Sequence, residues 1–425
     1  MIALYRYRMS TASRRLASVQ RYISASSPSR SLSSSPSLPS PHIMASTQGF
    51  KQESHKLLLV PGPIEVADEV LYANAHPSMS HVSADFVPVF GDCIRMMREV
   101  LYTKDGQVFL IAGSGTLGWD QVASNLVEPG EDVLVLNSGY FGDSFTDCLE
   151  TYGAKVSQIK ADIGAAPTPA EVEKALTEKK YKAITITHVD TSTGVLSDAK
   201  SITDIAKKVS PDTLVILDAV CAVGSEEIRF DDWGLDVVIT ASQKGLGCPP
   251  GLSIACASQK ALKVLENRKT PVNSFYASWK RWIPIMQAYE KGSPMYFATP
   301  PVNLIYALHA SLTRLTKTSL SLEERFRLHK EASHKVKKTL EELGVKQVPL
   351  DPYFAANGMT AAYYPAGKGA SDIIPKLAKN DITIAGGLHR DIKDKYFRIG
   401  HMGVSVEPNR DDLDKLLAGL RSALS

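Results

Sequence analysis

Apolar residues in the middle of the chain fall into short continuous runs, separated by polar turns and by longer stretches with an apolar residue every third or fourth place. Residues 107–111, 132–136, 155–159, 183–187, 213–217 and 237–241 are predicted strands, and all but the more polar 155–159 are rich in Val, Ile and Leu in nearly continuous apolar runs. Helical spacing lies between them and ahead of them, at 85–102, 119–126, 141–152, 168–180 and 202–209. Thr168-Pro169 opens one of these helices with Glu171 and Glu173 in its first turn. Repeated strand–helix units with buried strands predict an α/β domain: a mostly parallel sheet with helices on both faces. From residue 304 the pattern changes to two helices (304–316 and 322–343), short strands at 360–364, 382–385 and 396–399, and a last helix at 411–424. The expected division is a large domain over 57–303 and a smaller α+β domain over 304–425.

Two of the central strands end on charge. The run at 237–241 stops at Ser242-Gln243-Lys244, with Gly245 and Gly247 following, and the run at 213–217 stops at Asp218-Ala219-Val220. In a parallel sheet both groups face the crevice beyond the carboxyl ends of the strands. Pyridoxal phosphate requires such a pair: an amine to form a Schiff base with its aldehyde, and a carboxylate to keep its pyridine nitrogen protonated. Either residue alone reads as a surface lysine or a helix cap; the pairing carries the argument. Two further polar loops open on the same edge, at Ser114 and at Ser192. The first, Gly113-Ser-Gly-Thr-Leu-Gly118, joins a strand to a helix and so can offer backbone N–H groups to a phosphate. It also satisfies the dinucleotide pattern GxGxxG, with Glu131 and Asp132 near the place of the ribose-binding acid, which keeps a nicotinamide-dependent oxidoreductase as a rival. Arg398, in Tyr-Phe-Arg-Ile-Gly, is the candidate for gripping a substrate carboxylate.

Charge adds a leader to this picture. Residues 1–43 hold six arginines and no acid, with a Ser/Pro tract from Ser24 to Pro41, and are expected to be a mitochondrial transit peptide. Residues 44–56 would be a flexible segment, and Met44 a second start whose product stays in the cytosol. The terminal Ala-Leu-Ser is not the peroxisomal Ser-Lys-Leu address. Without the leader, 42 basic residues face 45 acidic ones, so nothing favours a nucleic-acid surface. The five cysteines form no CxxC pair and no metal site is expected. No apolar run reaches the roughly 18 residues of a membrane span.

Seven motifs in order, from Leu-Leu-Val-Pro-Gly-Pro63 through Ala-Gly-Ser-Gly-Thr-Leu-Gly-Trp-Asp120, Thr-His-Val-Asp-Thr-Ser-Thr-Gly-Val195, Leu-Asp-Ala-Val220, Thr-Ala-Ser-Gln-Lys244 and Tyr-Phe-Ala-Thr-Pro-Pro301 to Arg-Ile-Gly-His-Met-Gly403, resemble the class V aminotransferases of pyridoxal phosphate fold type I. The fungal-type alanine–glyoxylate (serine–pyruvate) enzymes are the nearest branch. The resemblance implies Lys244 as the Schiff-base lysine and Asp218 as partner of the ring nitrogen. It further implies Ser114, Gly115, Thr116 and Gln243 at the phosphate, Val220 and Phe141 on the ring faces, Ser192 near the ring oxygen and substrate, and Arg398 with Gly62 at the substrate. Tyr296 and Thr299 would come from the second subunit of a homodimer. Phe141 stands where animal relatives carry a tryptophan, and Thr116 where they carry a histidine. The implied reaction moves an amino group from alanine, or serine, to glyoxylate. Cysteine desulfurases share the fold but need a cysteine late in the chain, and none lies beyond Cys256.

Overall fold

A computed structural model describes residues 50–425, so the expected transit peptide lies outside the described residues. The large sheet has seven strands: β1 (Gln107–Ala112), β2 (Asp132–Asn137), β3 (Lys155–Lys160), β4 (Ala183–Thr187), β5 (Leu214–Asp218), β6 (Val237–Ala241) and β7 (Leu252–Ala257). Their order is β1-β7-β6-β5-β4-β2-β3, parallel throughout except for β7, which runs against both of its neighbours. The periodicity did not single out β7. Because β7 reverses between them, β1 and β6 point the same way, and the carboxyl ends of β1, β2, β4, β5 and β6 share one edge. Every residue of β4, β5, β6 and β7 is buried, and the first three of these read as apolar runs in the sequence. Flanking helices follow their sequence signals. Thr168 and Glu171 form a reciprocal capping box at the start of Pro169–Glu178.

A second core is built on a three-stranded antiparallel sheet of β8 (Met359–Tyr363), β9 (Ala385–Gly386) and β10 (Tyr396–Gly400), with β10 in the middle. Its apolar partners include Val336, Leu340, Ile373, Leu377, Leu416 and Leu420. The predicted strand at 382–385 is two pieces: β9 begins at its end, while Ile382–Thr383 pairs in parallel with Leu57–Leu58. The two cores divide the chain differently from the expected cut at residue 304. Helix Val302–Thr316 places Ile305, Tyr306, Leu308 and Leu312 in the larger core beside Phe86–Leu101, whereas Leu59 lies in the smaller one. The turn Pro61-Gly62-Pro63 therefore carries the chain from the smaller core to the larger. Among the described residues no helix is long and apolar enough to cross a membrane.

Candidate active site

The strand ends enclose a cavity of about 270 Å³, lined among others by Gly62, Ser114, Gly115, Thr116, Trp119, Phe141, Thr191, Asp218, Val220, Cys221, Gln243 and Lys244. Lys244 follows β6 directly but is not the open strand-end lysine its sequence suggests: only 8% of it is exposed. Its Nζ donates to the carbonyl of Pro61, and its Cδ, Cε and Nζ lie against Gly62, where a Cβ would fall 2.3–2.5 Å from them. Burial pushes the Lys244 amine below its ordinary range; nearby Arg398 acts in the same direction and Asp218 against it. A neutral amine is the form that can act as a nucleophile or base.

Asp218 closes β5 and is buried, which raises its carboxyl to about 6. Two donors oppose that rise: the Val220 N–H reaches Oδ1 at 3.1 Å, and the Trp119 indole N–H reaches Oδ2 at 2.7 Å. The carboxylate keeps further lone pairs for a ligand in the cavity.

At the other end of the cavity, the helix Leu117–Leu126 begins. Leu117, Gly118 and Trp119 donate back to the carbonyls of Ser114, Gly115 and Thr116 at 3.1, 2.8 and 3.0 Å. The N–H groups of Ser114, Gly115 and Thr116 themselves have no backbone acceptor among the described residues. A Cβ on Gly115 would stand 3.0 Å from Val220 Cγ2, so glycine lets this loop close down on β5. The same three residues therefore form a nest of free donors at a helix start, which is an anion seat. The Oε1 atom of Gln243, buried beside this nest, has no hydrogen-bond partner.

Arg398, in the middle of β10, lies just outside the lining. Its Nε donates to the Gly386 carbonyl at 2.8 Å and its Nη1 to the Thr191 carbonyl at 3.1 Å, and no carboxylate pairs with it among the described residues. Ser192 departs from expectation. It is fully buried outside the lining, with its hydroxyl 2.5 Å from Asp190 Oδ1 and 3.0 Å from the Tyr140 N–H; its neighbour Thr191 lines the cavity instead. Tyr296 is 62% exposed and neither it nor Thr299 lines the cavity. The dinucleotide reading fails on position: Asp132 begins β2, at the opposite edge of the sheet, where it pairs with Lys179 at 2.8 Å. Trp119, Asp190 and Tyr396 were not singled out by sequence. Tyr396 accepts from the N–H groups of Leu388 and His389 at 2.8 and 2.9 Å and donates to the Ser192 carbonyl, tying the smaller core to the cavity wall.

A family model described as aminotransferase class-V matches residues 65–399. The chain belongs to this family. Among relatives, alanine–glyoxylate aminotransferase 1 of Saccharomyces cerevisiae is 41% identical over 361 residues, 82% of this chain and 92% of the yeast protein. An L-aspartate–glyoxylate aminotransferase of Paracoccus denitrificans is 30% identical, covering 82% of this chain and 87% of its own. Among solved structures, an alanine–glyoxylate aminotransferase from Nostoc superposes with a TM-score of 0.80 at 27% identity, covering 88% of this chain and 97% of that one. Class V aminotransferases use pyridoxal phosphate, and this cavity suits it: a buried amine, a buried carboxylate and unpaired backbone donors in an anion seat.

Proposed function

We propose that this aminotransferase moves the amino group of alanine to glyoxylate, giving pyruvate and glycine, with Lys244 as the covalent anchor and base and Asp218 as partner of the cofactor's ring nitrogen. The observation that carries this is one small cavity lined by a buried lysine and a buried aspartate, with an arginine just outside the lining that has no acid partner among the described residues. When bound, pyridoxal phosphate supplies an aldehyde that captures the substrate amine and a ring that draws electrons from the substrate Cα. Lys244 Nζ, whose hold on its proton burial weakens, would take the proton from that Cα and return it to the other side of the reacting system. Asp218, as the carboxylate, would use its free lone pairs to keep the ring nitrogen protonated. The N–H groups of Ser114, Gly115 and Thr116, with the Gln243 amide, hold the phosphate; Val220 and Phe141 pack on the ring faces and, with Trp119, exclude water. Arg398 spends two donors on the carbonyls of Gly386 and Thr191 and has others left for a substrate carboxylate.

Donor and acceptor would share that single grip, so they must occupy it in turn, which gives ping-pong kinetics. Lys244 is the only cation lining the cavity among the described residues, so the distal carboxylate of a dicarboxylic substrate would find no counter-charge. This supports small monocarboxylic substrates, with serine as the second donor. Tyr296 and Thr299 we assign to the site of the other subunit of a homodimer; their exposure here, next to the exposed side chains of Met295 and Phe275, is what that arrangement needs. The leader would send the protein to mitochondria. The test compares kcat/KM for alanine with glyoxylate against aspartate or glutamate with 2-oxoglutarate. Preference for the dicarboxylic pair would overturn the substrate assignment, and aspartate as best donor to glyoxylate would align the chain with its Paracoccus relative instead.

A further inference from the structure

Trp119 sits ninety-nine residues before the carboxylate it touches, on the first turn of helix Leu117–Leu126. Its ring is buried, stacked on Phe145 with centroids 5.4 Å apart and planes at 15°, so the indole has one orientation available. Phe145 in turn is fully buried on the helix Tyr140–Thr151. We propose that Trp119 is a positioning residue for the reaction, its indole N–H holding the Asp218 carboxylate ionised and turned toward the cavity. This rests on the reading of Asp218 as the ring-nitrogen partner and goes beyond it, by naming what keeps that carboxylate fit for the role.

The physical case begins with the cost of the position. A carboxylate out of water favours its neutral acid form, and a neutral Asp218 could not hold a proton on a ring nitrogen. The groups facing it are few. Trp119 and the Val220 N–H donate to it, Lys244 helps it stay charged from across the cavity, and the Asp190 carboxylate opposes it. The two donors take different oxygens: Val220 takes Oδ1, Trp119 takes Oδ2. The backbone donor is fixed by the chain and survives any substitution. Among the described residues Trp119 is the one side chain that donates to it, and indole nitrogen is donor only, so it stabilises the ionised form whatever the pH. Each part of the constraint follows from position: Phe145 sets the plane of the ring, the helix sets its depth, and the indole fixes one carboxylate oxygen.

The experiment uses apoenzyme with ¹⁵N-labelled indoles. The chain has four tryptophans, and the Trp119 signal is the one lost in Trp119→Phe. In the wild type that signal should move as Asp218 titrates, with a midpoint near 6, and should stay still in Asp218→Asn. A Trp119 signal that does not move between pH 4 and 8 would overturn the proposal, and this arm does not depend on any Trp119 variant folding. In parallel, pyridoxal phosphate is titrated into apoenzyme across pH, read by fluorescence. Trp119→Phe, which keeps an aromatic ring but no donor, should move the acid limb of affinity upward by about one pH unit or more, a tenfold change in proton affinity or about 1.4 kcal/mol. Phe145→Leu, which loosens the stack and leaves the donor, should move it by much less. Equal shifts in the two variants would show that packing, not the donor, matters, and would sink the proposal. If instead Asp218→Asn binds the cofactor with wild-type affinity and pH dependence while the indole still tracks Asp218, the ring-nitrogen reading fails and the Trp119–Asp218 coupling stands.

Discussion

Replacing Gly62 by alanine separates backbone strain from the geometry of the reactive amine. Gly62 has φ +101, where a side chain is strained by about 1–3 kcal/mol. Its added methyl would also meet Lys244, at 2.3 Å from Cδ and 2.5 Å from both Cε and Nζ. Carbon atoms settle at about 3.5–4.0 Å, so the lysine must retreat by about 1 Å or more. It is bonded to the neighbouring Pro61 carbonyl, so it can retreat only by giving up that bond and shifting its amine within the cavity. A displacement of about 1 Å at a reacting atom can cost about a hundredfold in rate. Gly130 provides the control: its φ is +86, and a Cβ there would touch nothing within 4 Å. Gly62→Ala and Gly130→Ala should therefore lose similar stability in urea unfolding, while only Gly62→Ala loses about two orders of magnitude in kcat/KM. Borohydride fixation of the cofactor, followed by peptide mapping, should tag Lys244 in the wild type and much less of it in Gly62→Ala. Gly62→Ala with kcat/KM within about twofold of wild type, or fixation on another lysine, would refute the placement of the reacting amine.

Asp218→Asn should lose most of its activity yet gain relative stability as apoenzyme when the pH rises from 4 to 7. The folded carboxyl sits near 6 against an ordinary 3.8, so the native state binds the extra proton between those values and the cost of burying the charge is complete only above 6. That cost is at most about 3 kcal/mol, and an Asp218→Asn stability that falls relative to wild type between pH 4 and pH 7 would contradict the sign. Arg398→Ala should lower kcat/KM for both alanine and glyoxylate, by about 2–5 kcal/mol of transition-state binding, with little change in cofactor affinity; a selective loss for one substrate would show that the two do not share the grip. A reporter fused to residues 1–43 should enter mitochondria and one beginning at Met44 should stay in the cytosol, which imaging of the two fusions decides.

The strands were legible because a strand buried on both faces cannot alternate, so β4, β5 and β6 stand out as β-branched runs, and a charge ending such a run stands out further. Direction is not written in that signal. The antiparallel β7, Leu-Ser-Ile-Ala-Cys-Ala257, is as uniformly buried as its parallel neighbours, and only its hydrogen bonds to β1 and β6 reveal the reversal. The division between the cores was hidden for a similar reason. Helical spacing at Val302–Thr316 says that one face is covered, not which core covers it. Lys244, Asp218 and the loop at Ser114 could be found because each sits at an element end of recognisable kind. Trp119 could not, since a tryptophan in a helix reads as core, and here it is core on one side and a hydrogen-bond donor on the other.

Arg398 shows how such a site can remain available to a substrate. An arginine in a partly buried place is usually held by an acid, which would also neutralise it. Here the guanidinium is held by two neutral carbonyls, one at Thr191 beyond the end of β4 and one at Gly386 in the smaller core. Carbonyls fix the plane of the fork without cancelling its charge, and burial without an acid partner leaves the group less comfortable than in water, which lowers its affinity for its own proton. An incoming substrate carboxylate would relieve that condition, so on the proposed reading recognition would gain from a charge that no acid pairs with among the described residues. The two carbonyls also belong to different cores. The grip is correctly formed only when the smaller core is seated as it is here, with the Tyr396 hydroxyl tied to the Ser192 carbonyl one residue from Thr191. Loosening that tie by Tyr396→Phe should consequently weaken carboxylate recognition while leaving the Lys244–Asp218 pair intact, so KM for alanine and glyoxylate should rise together ahead of any change in cofactor binding.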